Sequence, residues 1–249
     1  MSLSLSGKTA LVTGASRGIG RATALALASR GAHVIVHYRS GGAEAESVVA
    51  EIHRNGGKAE PTCADLSMAD GPHALAAQVR KMIGTRLDIL VANAGLYKAA
   101  SIEDTTLNDF DELFAVNVRA PFFLVQQFTP IMVNGGSVVL ISSLAARAAF
   151  GTIAAYAATK GAIDTLAKHF AFALADHGIR VNAVAPGLIA KDSEDQIKTN
   201  QRRERAFAMQ AFKRLAQPDD VARVVAFLTS DDAQWITGDV VRVDGGSKL

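Results

Sequence analysis

Tyr156 and Lys160 stand four residues apart in the alanine-rich run AAYAATKGA, Ala154 to Ala162. At about 3.6 residues per turn, that spacing puts both side chains on one face of a helix and within reach of each other. A phenol beside an ammonium can exchange a proton with a substrate, because the positive charge favours the phenolate. A plain amphipathic helix with a polar edge would contain the same two residues, so the pair gains meaning only from the rest of the chain.

A second chemical signature lies near the start. TALVTGASRGIGRA reads as a strand, a tight turn holding Gly14, Gly18 and Gly20, and a helix start. Glycine lets backbone bend sharply and approach a ligand, and a helix N-terminus offers free N–H groups and partial positive charge to a pyrophosphate. The spacing is GxxxGxG rather than GxGxxG, yet its place in the first βαβ unit fits a dinucleotide site. GASRG also satisfies G-x-S-x-G, the nucleophile elbow of a serine hydrolase, with Ser16 as nucleophile. That elbow takes its oxyanion loop from an earlier strand, and the short stretch before Ser16 has no room for one.

A dinucleotide fold commonly ends its second strand with an acid that binds the adenosine ribose 2′-hydroxyl. Here that place reads VIVHYRSG, with Tyr38 and Arg39 and no acid, while Arg17 sits in the glycine loop. Two guanidiniums welcome a 2′-phosphate that a carboxylate would repel. The expected cofactor is NADPH/NADP rather than NAD.

The elements that would position these groups follow a βαβα rhythm. Short β-branched runs at 9–13, 33–37, 87–92, 137–142, 179–185 and 240–243 alternate with helical patterns such as Arg21 to Arg30 and Ala43 to Asn55. KAEPTC is a weaker strand candidate because Pro61 sits inside it. The runs lack the alternation of a sheet with one wet face, so both faces should be covered by helices. The expected fold class is α/β: a single-domain, Rossmann-type doubly wound parallel sheet flanked by helices on both faces, spanning 1–249. A charged stretch at 188–213 interrupts the rhythm and reads as a substrate-lid insertion or a solvated excursion.

Composition narrows the classes. The 249 residues are 49% hydrophobic and 20% charged, with a formal net charge of +2 and mixed signs, which argues against nucleic acid as a partner. One cysteine, Cys63, excludes an internal disulfide, and the six histidines lack ligand spacing, so no metal site is expected. With no leader-like start and no membrane-length apolar stretch, the expected location is cytoplasmic.

TGASRGIG (13–20), NAG (93–95), AVNV around Asn117, ISS ending at Ser143, YAATK (156–160) and APG (185–187) occur in this order. Together they make the chain resemble the short-chain dehydrogenase/reductase family over essentially its whole length, and Ser143 precedes Tyr156 by the family's usual interval. The resemblance implies a catalytic tetrad of Asn117, Ser143, Tyr156 and Lys160. Tyr156 would be general acid/base; Lys160 would tune it and hold the nicotinamide ribose. Ser143 would bind the substrate oxygen, and Asn117 would support a water-linked relay. It further implies a cofactor site of Gly14, Ser16, Arg17, Gly18, Ile19 and Gly20 in the first loop, and Tyr38, Arg39 and Ser40 after the second strand. Asp65 and Leu66 would lie at the adenine, Asn93, Ala94 and Gly95 at the ribose, and Pro186, Gly187 and Ile189 at the nicotinamide. Asp65 also reads as a simple helix cap.

The overall pattern resembles the 3-oxoacyl-carrier-protein reductase branch, with two departures. Ala190 and Lys191 stand where a threonine often helps hold the nicotinamide. Asn134 and His177 occupy places where that branch docks its acidic carrier with basic residues. A free small-molecule carbonyl or alcohol is therefore the expected substrate, with a carrier-bound 3-oxoacyl group as the alternative. Leu96, Tyr97, Leu144 to Thr152 and the lid should form the pocket walls, with Phe150 the bulky member and Arg147 able to meet an acidic group or to face solvent. A non-catalytic dinucleotide sensor would keep the fold but usually breaks the tetrad, which here is whole. The alanine-rich helix carrying Tyr156 and Lys160 offers a flat surface for close packing, and the resemblance implies that subunits meet there in a homotetramer, with tight packing inside one subunit as the alternative.

Overall fold

The computed structural model describes residues 5–190, 204 and 207–247. Strands and helices alternate: β1 (Thr9–Val12), α1 (Gly18–Ala28), β2 (His33–Tyr38), α2 (Gly42–Arg54), β3 (Lys58–Cys63), α3 (Gly71–Ile83) and β4 (Leu87–Ala92) form the first half. The second half comprises α4 (Leu107–Phe114), α5 (Ala120–Phe128), β5 (Met132–Ile141), α6 (Ala154–Ala173), β6 (Arg180–Pro186), α7 (Pro218–Leu228) and β7 (Val240–Val243). All strand pairs are parallel, in the order β3-β2-β1-β4-β5-β6-β7.

Successive side chains of a strand point to opposite faces, and the core divides accordingly. Ala10 and Val12 of β1 pack with Ala24 and Leu27 of α1, Val48 and Ile52 of α2, and Val221 and Val225 of α7. Leu11 packs on the other face with Leu75 and Val79 of α3, Leu124 and Phe128 of α5, and Ile163 and Ala167 of α6. Leu11, Val12, Leu90, Val91, Val138 and Val139 are fully buried, and each such burial contributes roughly 1.5–3 kcal/mol. The continuous apolar runs thus reflect a sheet covered on both sides.

Pro61 does not prevent β3 from pairing with β2, Val36 opposite Pro61. β3 is an edge strand, where one side has no ladder to complete and proline is tolerated. Helix α1 begins at Gly18, a turn earlier than the apolar pattern indicates, because the glycines of the loop enter its first turn. A π-helical turn, Ala115–Arg119, joins α4 to α5. Helix α7 opens with Pro218 in its first turn and a capping box in which the Gln217 N–H donates to Asp220 Oδ2 at 2.8 Å.

Candidate active site

β1 and β4 are neighbours in the sheet, yet the chain leaves them in opposite directions, so a crevice opens beyond their carboxyl ends. Thr13 and Asn93 tie those ends together. The Asn93 and Ala94 N–H groups donate to Thr13 Oγ1 at 3.0 and 2.9 Å, and Asn93 Nδ2 donates to the carbonyls of Thr13 and Gly14 at 2.8 and 3.1 Å. This clamp leaves no room for side chains. Gly14 has φ +62°, and a Cβ there would lie 3.0 Å from Ala94 Cα; a Cβ on Gly20 would run into the Gly14 carbonyl. Loop backbone is therefore bare where α1 begins, with first-turn N–H groups that have no acceptor within the helix.

His37 of β2 completes this end. Its buried imidazole accepts from the Gly14 N–H through Nδ1 at 3.1 Å, so Nε2 carries the hydrogen and donates to the Ala64 carbonyl at 3.1 Å. Burial pushes its pKa down to about 4, and the neutral ring links the glycine loop to the end of β3. Its sequence signal was a polar residue inside a buried strand, which motif reading passes over. Arg17 and Arg39 are exposed on the rim. Asp65 Oδ1 accepts from the Ser67 N–H and hydroxyl at 2.9 and 2.7 Å; it closes a local turn and caps no helix, since α3 starts at Gly71 after Asp70. Those bonds, and then the nearby Arg39 charge, hold its carboxyl below the usual range.

One cleft of about 660 Å³ runs from Arg39 to Tyr156. Gly14, Ser16 to Gly20, Tyr38 to Ser40, Asp65, Leu66, Asn93 to Gly95, Pro186, Gly187 and Ile189 all line it, as do Ser143, Tyr156 and Lys160. Gly187 is pressed against Asp244, whose Cα would lie 2.9 Å from a Cβ there. The bare loop, the helix start and two rim arginines form a site that fits a dinucleotide carrying an extra phosphate.

Asn117 is placed differently from its expected partners. It sits behind the wall in the π turn, where Oδ1 accepts from the Leu96 N–H at 2.8 Å while Nδ2 donates to the Leu96 carbonyl at 2.9 Å and to Thr159 Oγ1 at 3.1 Å. Its amide is thus committed to protein groups. Ser143 follows β5 in extended conformation, and its hydroxyl oxygen accepts from the Ala145 N–H at 3.1 Å. Lys160 is buried, donates to the Ile141 carbonyl at 2.8 Å, and lies 5.7 Å from the centre of the Tyr156 ring. Burial lowers its pKa to about 8, against an opposing effect of Asp164.

The walls include Leu96, Tyr97, Leu144, Ala145, Phe150 and Ile153. Arg147 is turned elsewhere: Nε lies 3.4 Å from Asp164 Oδ2, and Asp164 also accepts from the Ser142 hydroxyl at 2.5 Å. Most of the expected lid, including Lys191, lies outside the described residues. At its base, the Ala190 N–H donates to Ala216 and the Ala216 N–H to Leu188, at 2.8 and 2.9 Å. At its far end, Ala211 and Phe212 donate to Gly246 and Gly245 rather than lining the cleft. Asn134 and His177 are both exposed, joined through the Gly135 N–H to Gly178 carbonyl bond at 3.0 Å. Among the described residues there is no metal-binding cluster and no helix long and apolar enough to cross a membrane.

Sheet order, bare glycine loop and lysine–tyrosine pair define the class: a Rossmann-type, nucleotide-dependent oxidoreductase. A family model described as enoyl-(acyl carrier protein) reductase matches residues 14–248, and the chain belongs to the short-chain dehydrogenase/reductase family. It is 40% identical to versicolorin reductase of Emericella nidulans over 98% of this chain and 96% of that one. It is 38% identical to tetrahydroxynaphthalene reductase of Pyricularia oryzae, covering 99% and 91%. The crystal structure of the angucycline C-6 ketoreductase LanV with bound NADP superposes with a TM-score of 0.93 at 40% identity, covering 100% and 98%. Family membership removes the serine-hydrolase reading of Ser16.

Proposed function

We propose that this protein is an NADPH-dependent ketoreductase that reduces a free small-molecule carbonyl, with Tyr156 as proton donor. The observation that carries the reading is one cleft lined by the glycine loop, both rim arginines, Ser143, Tyr156 and Lys160. Bound NADPH would supply the hydride. The bare loop from Gly14 to Gly20 and the start of α1 would hold the pyrophosphate, Arg17 and Arg39 the 2′-phosphate, and Pro186, Gly187 and Ile189 the nicotinamide end. NADP in the LanV structure supports the choice of cofactor.

The proton chemistry belongs to this chain. As charge grows on the carbonyl oxygen, the Tyr156 hydroxyl donates to it. Lys160 is a cation below pH about 8, and that charge favours the phenolate Tyr156 becomes. Ser143 already accepts from Ala145, which leaves its own hydrogen free to donate to the same substrate oxygen. Asn117 acts as a positioning residue by holding both backbone groups of Leu96.

Asn134 and His177, neither with a fixed positive charge, in place of basic docking residues support a free rather than carrier-bound substrate, and so do relatives named for versicolorin and tetrahydroxynaphthalene. A homotetramer is supported by apolar surface beside α6: Phe172 is 88% exposed, and Phe122 and Phe170 bridge α5 and α6 with ring centres 5.4 Å apart. Elution at monomer size in gel filtration would refute the tetramer. The lone cysteine suits a reducing compartment, and we place the protein in the cytoplasm.

The test is NADPH consumption with free ketones and a carrier-bound 3-oxoacyl group. Turnover of free ketones, abolished in Tyr156→Phe with NADPH binding retained, is expected. Undiminished turnover in that variant would overturn the mechanism, faster turnover with NADH the cofactor assignment, and NADPH binding without turnover on any ketone would favour the sensor.

A further inference from the structure

The rings of Tyr97 and Tyr156 pack in a T-shaped pair, with centres 5.1 Å apart and planes inclined by 70°. Tyr97 is 47% exposed and lines the same cleft. Two steeply inclined rings make a corner at the place where the proton is delivered. Burial raises the Tyr97 phenol above its ordinary pKa, so the ring is uncharged at neutral pH.

The segment carrying Tyr97 is held at several points. Before it, Asn117 binds both the N–H and the carbonyl of Leu96 at 2.8 and 2.9 Å. After it, Lys98 Nζ lies 2.5 Å from both Asp109 and Glu112 of α4. The Ala100 N–H then donates to the Thr152 carbonyl at 2.8 Å, tying this segment to the loop that carries Phe150. A ring fixed on both sides is a preformed wall, and a substrate does not have to immobilise it.

Apart from Ser142, Ser143 and Lys160, what lines the rest of this end is apolar. Leu96, Leu144, Ala145, Phe150 and Ile153 surround the corner, and among the described residues lining it Lys160 carries the only charge. Such a surface rewards flat, polarisable area.

We propose that Tyr97 is a specificity-determining residue that selects ketones whose carbonyl-bearing ring is fused to an aromatic ring over saturated ketones of the same skeleton. This rests on the ketoreductase reading. A carbonyl oxygen delivered to Tyr156 brings an adjoining planar ring against the Tyr97 face. A puckered saturated ring fills the corner less well.

Two ketones of one skeleton test this: 2-tetralone, with an aromatic ring, and 2-decalone, fully saturated. The native protein is expected to prefer 2-tetralone in kcat/KM, and Tyr97→Leu to reduce that preference about 5- to 10-fold, mostly through KM, the size expected for losing one aromatic pair. Tyr97→Phe should restore the preference, since the ring rather than the hydroxyl does the selecting. An unchanged ratio in Tyr97→Leu, or failure of Tyr97→Phe to restore it, would overturn the proposal. If the native protein reduces neither ketone, the ketoreductase reading fails for this class; calorimetric binding of both ketones to NADP-loaded protein then decides the inference separately. Preferential binding of 2-tetralone that disappears in Tyr97→Leu upholds the aromatic wall, and equal binding in both proteins refutes it.

Discussion

The two ends of the cleft are built on different principles. At the nucleotide end, the chain is bare: Gly14 and Gly20 allow backbone to touch backbone, with Thr13, Asn93 and His37 filling the joints. At the other end, the cleft is lined by side chains from separate segments, Ser143 after β5, Tyr156 and Lys160 on α6, and Tyr97 after β4. The first arrangement suits a ligand whose phosphates never vary. The second lets one side chain change without disturbing the others, and substrate choice can shift while the cofactor site stays fixed.

The sharpest way to separate the ends is to disable one. Tyr156→Phe removes the acid while keeping the ring that packs on Tyr97, and kcat should fall by about 10²–10⁴. NADPH affinity, read by fluorescence titration, should remain within about twofold, since no bond to the ring oxygen is needed to seat the phosphates. A comparable loss of NADPH binding would mean that the ends are not separable.

His37 tests the nucleotide end through pH. Its pKa is about 4 in the folded protein against an ordinary 6.5, so between those values the unfolded chain binds the proton more readily. Stability is therefore fully present above pH 6.5 and falls as pH drops toward 4, by about 3 kcal/mol in all. His37→Asn keeps an acceptor for the Gly14 N–H and has no proton to gain. Urea denaturation across pH 4–7 should show this part of the acid slope disappearing in the variant; an unchanged slope would show that other groups cause it.

Arg39→Ala should weaken NADPH about tenfold and leave NADH unchanged, the size of one charge-assisted hydrogen bond to phosphate. Equal weakening of both nucleotides would mean that Arg39 supports the loop rather than reads the 2′ position.

The legibility of the two ends differs in the same physical way. Strand runs, the glycine loop and the Tyr156–Lys160 pair are local patterns, and a local pattern survives in a linear string. The His37 bridge joins β1, β2 and β3, the Asp164 group gathers Ser142 and Arg147, and Asn117 spends its amide on Leu96. Each joins residues far apart in the chain, so residue type alone did not reveal the partner. Pro61 was underrated for a related reason: proline opposes a central strand, but edge position is a property of topology. Arg147 could have met substrate or solvent; only the fold turns it to Asp164.

The smallest expected effect probes how the mouth is held. Lys98 anchors the Tyr97 segment to α4 through Asp109 and Glu112, and all three side chains reach solvent. Exposed ion pairs are weak, and salt screens them. Lys98→Met should therefore raise the KM for an aromatic ketone only about two- to threefold at low ionic strength, because Asn117 and the Ala100–Thr152 bond still hold the segment. Toward 1 M salt, the native value should rise to meet the variant's, while the two proteins keep equal NADPH affinities at every salt concentration. A difference that persists at high salt would assign Lys98 a packing role instead, through the methylene stem that reaches α4.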